Sequence, residues 1–190
     1  AAQGDWRLTT AERKRILIDH IFGVDIDTQA VEVTKLSLLL KVLEDESAES
    51  INRTLRMFHE RALPDLDSNI KWGNSLIDFS ALGSILTGDA MSTKTFIPFD
   101  WKQEFKAIFA DDGFDAVVGN PPYVRPHNIP EYVKDVLWRV FPTFVAKSDL
   151  YSCFMERGLQ LTRDGGFFSF IVPHSWTSQE SFLKTREMLV

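Results

Sequence analysis

The chain has 190 residues, of which 44% are hydrophobic and 25% charged, with a net charge of −6. This is enough for one domain with a substantial core and is ordinary composition for a soluble globular protein. The acidic balance argues against a domain that grips nucleic acid by itself, since such domains are usually basic.

In chain order, Thr9-Thr10-Ala11-Glu12 has the form of a capping box and opens a short helix to about Asp19. His20–Ile26 reads as a strand. Asp27 caps a long helix from Thr28 to about Leu43, with Val31, Leu36, Leu39, Leu40 and Leu43 as its expected apolar face. Glu44–Ser50 is polar and reads as a loop, and Ile51–Leu63 as a modest helix. Asn69–Trp72 is a short extended segment ending at Gly73-Asn74-Ser75. Ala81–Thr95 is loop-rich, Asp100–Phe109 has a helical pattern, and Phe114–Val118 is a short buried strand. Pro130–Phe141 and Asp149–Leu161 read as helices. Arg163-Asp164-Gly165-Gly166 turns into a strand over Phe167–Val172, and Ser178–Val190 begins another helix. Strands alternating with helices predict an α/β fold with a mostly parallel sheet covered on both faces.

The single cysteine, Cys153, excludes an internal disulfide and fits a reducing, cytoplasmic setting. It lies in a helical pattern and is expected to be a small buried apolar residue. His20, His59, His127 and His174 are far apart and lack ligand spacing, so no metal site is expected. No stretch approaches the roughly 18 apolar residues of a membrane span.

The most informative feature is Asn120-Pro121-Pro122-Tyr123 at the end of the Phe114–Val118 strand. Ligands in open α/β sheets bind at the carboxyl ends of strands. The chemistry suits a planar amine, whose lone pair is delocalised into its ring. Asn120 Oδ1 and the Pro121 carbonyl can accept its two N–H bonds, draw the nitrogen toward sp³ and aim its lone pair at a methyl donor. The prolines fix φ near −65° and stiffen the turn. Tyr123 would stack on the ring being modified. The bland alternative is a strand-ending turn with Asn120 as a local hydrogen-bonder and Tyr123 as packing.

Two other strand ends carry polar residues. Asp25 can accept both hydroxyls of a ribose; with Asp27 serving as the helix cap, Asp25 is expected to be uncommitted. Ile26 can lie against a purine face. The Asn74 amide can meet a purine edge, or it can simply close the strand with an Asx turn. Beyond the tetrapeptide, Val124–Ser148 holds Arg125, Lys134, Arg139 and Lys147 against Glu131 and Asp135. This is either a solvated face or a phosphate-contacting one.

Gly23-Val24-Asp25-Ile26-Asp27, Gly73-Asn74-Ser75-Leu76 and Asn120-Pro121-Pro122-Tyr123-Val124-Arg125 resemble motifs of adenine-N6 DNA methyltransferases. Asp149-Leu150-Tyr151, Gly165-Gly166-Phe167 and Ile171-Val172-Pro173 resemble later motifs of the same family. The likeness runs over most of Ile16–Val190 and points to the methyltransferase part of type IIG restriction–modification enzymes. It implies a class I, Rossmann-like methyltransferase sheet and S-adenosylmethionine as donor. It also implies a target adenine flipped out of double-stranded DNA. The resemblance places the catalytic turn at Asn120, Pro121, Pro122 and Tyr123, cofactor contacts at Asp25, Ile26, Asn74 and Ser75, and DNA contacts at Arg125, His127 and Lys134.

Departures from that pattern give further expectations. The family's glycine-rich loop after its first strand has no counterpart before Thr9. The first strand, the strands after Val190 and a target-recognition domain are also missing. Residues 1–190 are therefore expected to be an internal, partial catalytic domain that binds cofactor poorly and self-associates through open strand edges. Two other readings stay open: a methyltransferase acting on another planar nitrogen, such as release-factor glutamine or ribosomal-RNA guanine, and a non-catalytic α/β nucleotide-binding module.

Overall fold

The computed structural model describes residues 8–44, 64–83 and 93–190. The chain divides into two units, Ala1–Gly73 and Asn74–Val190. The expected helix at Ile51–Leu63 and nearly all of the Glu44–Ser50 loop lie outside the described residues.

In the first unit, Thr9 caps helix α1 (Thr10–His20), its hydroxyl accepting from the Glu12 N–H at 3.2 Å. The Glu12 carboxylate turns away from the cap and pairs with Arg15 at 2.6 Å, so only half of the capping box forms. Strand β1 is three residues, Gly23–Asp25, and runs parallel to β2 (Ile70–Trp72) with Gly23 opposite Ile70 and Asp25 opposite Trp72. The expected His20–Ile26 strand is shortened because its partner offers only three residues. Between the strands, α2 (Thr28–Leu43) has the expected ends and the expected cap, Asp27 accepting from the Gln29 N–H at 2.8 Å.

The buried face of α2 differs from the expected one. Val31 and Val42 are buried with Leu17, Leu66 and Ile70, and Leu38 and Leu39 pack beside them. Leu36 and Leu40 are exposed. The helix carries apolar residues around most of its circumference, so periodicity does not single out one stripe; packing against α1 and β2 does. Asn69, also buried, was not singled out by the sequence. Its side-chain amide donates to the Ile18 and Ile21 carbonyls at 2.7 and 2.9 Å, closing the end of α1, and its backbone carbonyl accepts from the Gly23 N–H. The two side-chain bonds give partners to carbonyls that a helix end leaves without intrahelical donors.

The second unit begins with an Asn74–Pro98 bridge and buries Leu76 and Ile77. The described part of the Ala81–Thr95 stretch holds the end of α3 (Phe79–Leu82) and most of α4 (Thr93–Phe96). The single helix expected over Asp100–Phe109 is two short ones, α5 (Trp101–Glu104) and α6 (Lys106–Ala110). The break is at Phe105, with φ −123° and ψ 48°. Its ring is buried among those of Phe99, Trp101 and Phe114 at centroid separations of 5.6–6.0 Å. Packing these aromatic rings overrides the local helical pattern.

Strand β3 (Phe114–Gly119) pairs in parallel with β4 (Thr162–Phe170), and the crossover contains α7 (Glu131–Val140) and α8 (Tyr151–Leu161). The register jumps from Phe114 opposite Thr162 to Ala116 opposite Phe167, so the Arg163–Gly166 turn is an excursion within β4. Gly165 has φ +73°, a conformation that favours glycine. The ladder closes where the Ile171 N–H donates to the Gly119 carbonyl at 3.0 Å. Val136, Leu137, Phe141 and Phe144 form a core with Leu76, Ile77 and Cys153. Cys153 is fully buried, as expected, and burial pushes its thiol pKa up. The last expected helix is a tight turn, Glu180–Phe182, followed by α9 (Leu183–Leu189).

The α/β class with parallel strands and intervening helices is borne out. Among the described residues it takes the form of two two-stranded parallel sheets, one in each unit.

Candidate active site

The Asn120–Tyr123 turn leaves the end of β3 next to the end of β4. Pro121 is buried; Asn120, Pro122 and Tyr123 are exposed. The segment after the turn is held by the Val124 carbonyl, which accepts from the Leu150 N–H at 2.9 Å, just before α8. The Tyr123 hydroxyl lies 3.0 Å from the Ile171 carbonyl and 3.4 Å from Asn120 Oδ1. A phenol has one proton, and the shorter contact takes it. Asn120 Oδ1 therefore keeps accepting capacity, and no described residue donates to the Pro121 carbonyl.

Tyr123 is 53% exposed, and its ring meets Tyr151 edge-to-face with centroids 6.2 Å apart. Tyr151 is fully buried, stacks on Phe182 at 5.2 Å and hydrogen-bonds Ser175 Oγ at 3.1 Å. Burial raises the phenol pKa of Tyr151, which keeps it neutral. A neutral, buried, hydrogen-bonded ring is a firm support, so Tyr123 is fixed at its hydroxyl and along its ring while much of its surface stays open. The sequence did not single out Tyr151 and Ser175 for this role. The edge contact crosses from the turn to α8, and no local pattern reports it.

Beside Tyr123 is a cleft of about 700 Å³ lined by Arg125, His127, Lys147, Asp149 and Gln179. The structure thus brings Arg125 and His127 together with the Asn120–Tyr123 turn. It does not bring Lys134 to the cleft: its side chain is only 12% exposed, and its ammonium pairs with Glu131 at 2.6 Å.

In the first unit, Asp25 is exposed at the end of β1 with Ile26 beside it. Asp25 is not uncommitted as expected, because its Oδ1 accepts from the Asp27 N–H at 2.8 Å. This bond organises the turn into α2 and still leaves the second carboxylate oxygen for a ligand. Ile26 and Trp72 are 53% and 50% exposed, and the Trp72 indole N–H donates to the Ile26 carbonyl at 2.9 Å. Exposed apolar side chains beside a carboxylate at parallel strand ends suit a ring attached to a hydroxylated sugar. Trp72 was read only as a strand residue, because a strand aromatic ordinarily signals packing.

Asn74 and Ser75 lie at the start of the second unit. Asn74 Oδ1 accepts from the Leu76 N–H at 3.0 Å, which is the Asx turn weighed from sequence. The Ser75 carbonyl accepts from the Trp101 indole at 3.1 Å. Among the described residues no group of His, Cys, Asp or Glu side chains is arranged to hold a metal ion. No helix of the described residues is long and apolar enough to cross a membrane.

The strand-end carboxylate Asp25 lies in the first unit, and the strand-end amide and aromatic turn, Asn120 and Tyr123, in the second. Residues 19–190 match the family model for the Eco57I restriction-modification methylase, and the chain belongs to that family. It is 30% identical over 97% of its length to the type II restriction enzyme and methyltransferase RM.Eco57I of Escherichia coli. It is 24% identical over 93% of its length to the adenine-specific methyltransferase PglX of Lacticaseibacillus casei. It is 31% identical over 52% of its length to the type II methyltransferase M.PaeR7I of Pseudomonas aeruginosa. The chain spans 17% and 18% of the lengths of the first two relatives.

Proposed function

We propose that the protein transfers a methyl group to the N6 amine of adenine in double-stranded DNA as part of a restriction–modification system. In this reading residues 1–190 belong to its catalytic domain and contribute strands to a class I methyltransferase sheet. The observation that carries the proposal is the presentation of Asn120 Oδ1 and the Pro121 carbonyl, with accepting capacity to spare, beside a fixed and half-exposed Tyr123 ring. Relatives named as adenine-specific or type II methyltransferases support it.

An adenine buried in a duplex is out of reach of these groups, so it is flipped out, at a cost of a few kcal/mol. Stacking on Tyr123 returns about 1–3 kcal/mol of that. Asn120 Oδ1 and the Pro121 carbonyl accept the two N6 hydrogens. They withdraw the nitrogen lone pair from the ring, direct it out of the plane and stabilise the positive charge that develops as the new N–C bond forms. The excess N6 proton then leaves to water. Arg125 and His127 hold the DNA backbone beside the turn.

S-adenosylmethionine, when bound, would supply an electrophilic methyl group, the S–CH3 bond breaking with its electron pair kept on sulfur to leave S-adenosylhomocysteine. The first unit fits its nucleoside end: the second oxygen of Asp25 for ribose hydroxyls, and Ile26 with Trp72 for the purine. Asn74 Nδ2 and Ser75 are proposed to complete the purine contacts. The test is incubation of the full-length protein with labelled S-adenosylmethionine and either duplex DNA or release factor, followed by digestion of the DNA to nucleosides. Label in N6-methyladenine is expected; label in release factor, or none in DNA, would refute the proposal.

A further inference from the structure

The cleft beside Tyr123 is positively lined in a chain whose net charge is −6. Arg125 and Lys147 carry fixed charges, His127 adds a ring N–H, and Asp149 is the only carboxylate in the lining. Two other basic side chains of this unit are paired: Lys134 with Glu131, and Arg163 with Asp115 at 2.6 Å. Among the described residues nothing pairs with the side chains of Arg125, His127 or Lys147. Three unpaired donors facing one cleft make an anion site, and the volume of about 700 Å³ is larger than a single inorganic ion needs.

The position of the cleft identifies the anion. The chain is extended at Arg125, with φ −73° and ψ 150°. Tyr123 and Arg125 line one cleft. Lys147 reaches it from the loop before α8, and that loop is locked to the turn by the Val124–Leu150 bond. A ring platform beside a cationic cradle in one cleft matches the base and the phosphate of one nucleotide.

We infer that Arg125, His127 and Lys147 form a subsite for a phosphate flanking the flipped nucleotide itself, so that Tyr123 and the cleft hold one nucleotide by both ends. The inference rests on the proposed DNA substrate. It makes Lys147, rather than Lys134, the lysine that meets DNA here. It also gives the cleft a second role, because grasping the phosphate helps keep the nucleotide extrahelical after the base leaves the stack.

The test uses the full-length protein and a duplex whose methylated adenine has been mapped in reaction products. Neutral methylphosphonates replace the 5′ or the 3′ flanking phosphate, and binding is compared for the native protein and the Arg125→Gln/Lys147→Gln variant. Each charge-assisted contact is worth about tenfold or more in affinity. Native protein is expected to lose about tenfold at one flanking position. The variant should bind native DNA more weakly, with a salt slope shallower by about one for each phosphate it no longer neutralises. It should show no further loss on that methylphosphonate. Unchanged S-adenosylmethionine affinity in the variant reports an intact fold. Equal methylphosphonate losses in native protein and variant at both positions would overturn the subsite while leaving the methyltransferase reading intact. Absence of DNA methylation by the native protein would remove that reading, and the subsite with it.

Discussion

Replacing Tyr123 separates the two jobs that its side chain performs. Tyr123→Phe removes one hydrogen bond, from the hydroxyl to the Ile171 carbonyl at 3.0 Å. Ile171 is exposed, so its carbonyl returns to water and the loss falls within the ordinary net value of about 0.5–1.5 kcal/mol, roughly two- to tenfold. The ring keeps its edge contact with Tyr151 and its open surface. Tyr123→Ala also deletes the stacking platform, worth about 1–3 kcal/mol per base, or roughly five- to 150-fold on its own. Fluorescence of 2-aminopurine at the target position, read on the full-length protein, measures capture of the flipped base. The expected order is native, then Phe slightly weaker, then Ala much weaker. If Phe were as damaging as Ala, the hydroxyl would be the working group and the ring only its carrier, and the stacking argument would fail.

Asp25→Asn keeps an oxygen for the Asp27 N–H but removes the charge, so it isolates the ligand contact from the turn. The S-adenosylmethionine dissociation constant should rise about ten- to a hundredfold, as for loss of a charge-assisted bond, and calorimetry showing no change would return Asp25 to a purely structural role. Gly158→Ala should destabilise the protein. Its Cβ would sit 2.4 Å from Phe168 Cε2 and 3.0 Å from Phe170 Cζ. Overpacking costs about 1–3 kcal/mol, against about 1 kcal/mol gained in helix propensity. Phe170 cannot retreat toward Gly119, which it already crowds, so a raised thermal midpoint would show that α8 lifts off β4 more easily than the packing implies. Cys153 should resist thiol reagents at pH 8 in the folded protein, because burial holds the thiol protonated well above its ordinary range; rapid native-state labelling would contradict this.

The parts legible from sequence were those written in local chemistry. Thr9 and Asp27 cap as their residue types dictate, and the Asn120–Tyr123 turn lies at a strand end because an apolar run stops at two prolines. The parts that were not legible depend on partners distant in sequence. The buried stripe of α2 is chosen by Leu17 and Ile70, the break at Phe105 by a cluster of rings, and the bracing of Tyr123 by Tyr151 and Ile171. Asp25 looked uncommitted because a carboxylate has two oxygens and its Asx bond to Asp27 competes with no other cap. Lys147 and Lys134 were equivalent as charges in one basic stretch; the pair Lys134 makes with Glu131 is local to α7, but the meeting of Lys147 with Tyr123 in one cleft is set by the tertiary fold.

The role of Asn120 is tested most directly by single-turnover methylation of duplex DNA by the full-length protein and its Asn120→Ala variant, with S-adenosylmethionine affinity measured alongside. Loss of a preorganised group acting on developing charge typically costs on the order of 10²–10³ in rate. The expected result is a variant slowed by about that factor in forming N6-methyladenine, with its cofactor dissociation constant unchanged. A variant that methylates adenine at the native rate would contradict the account.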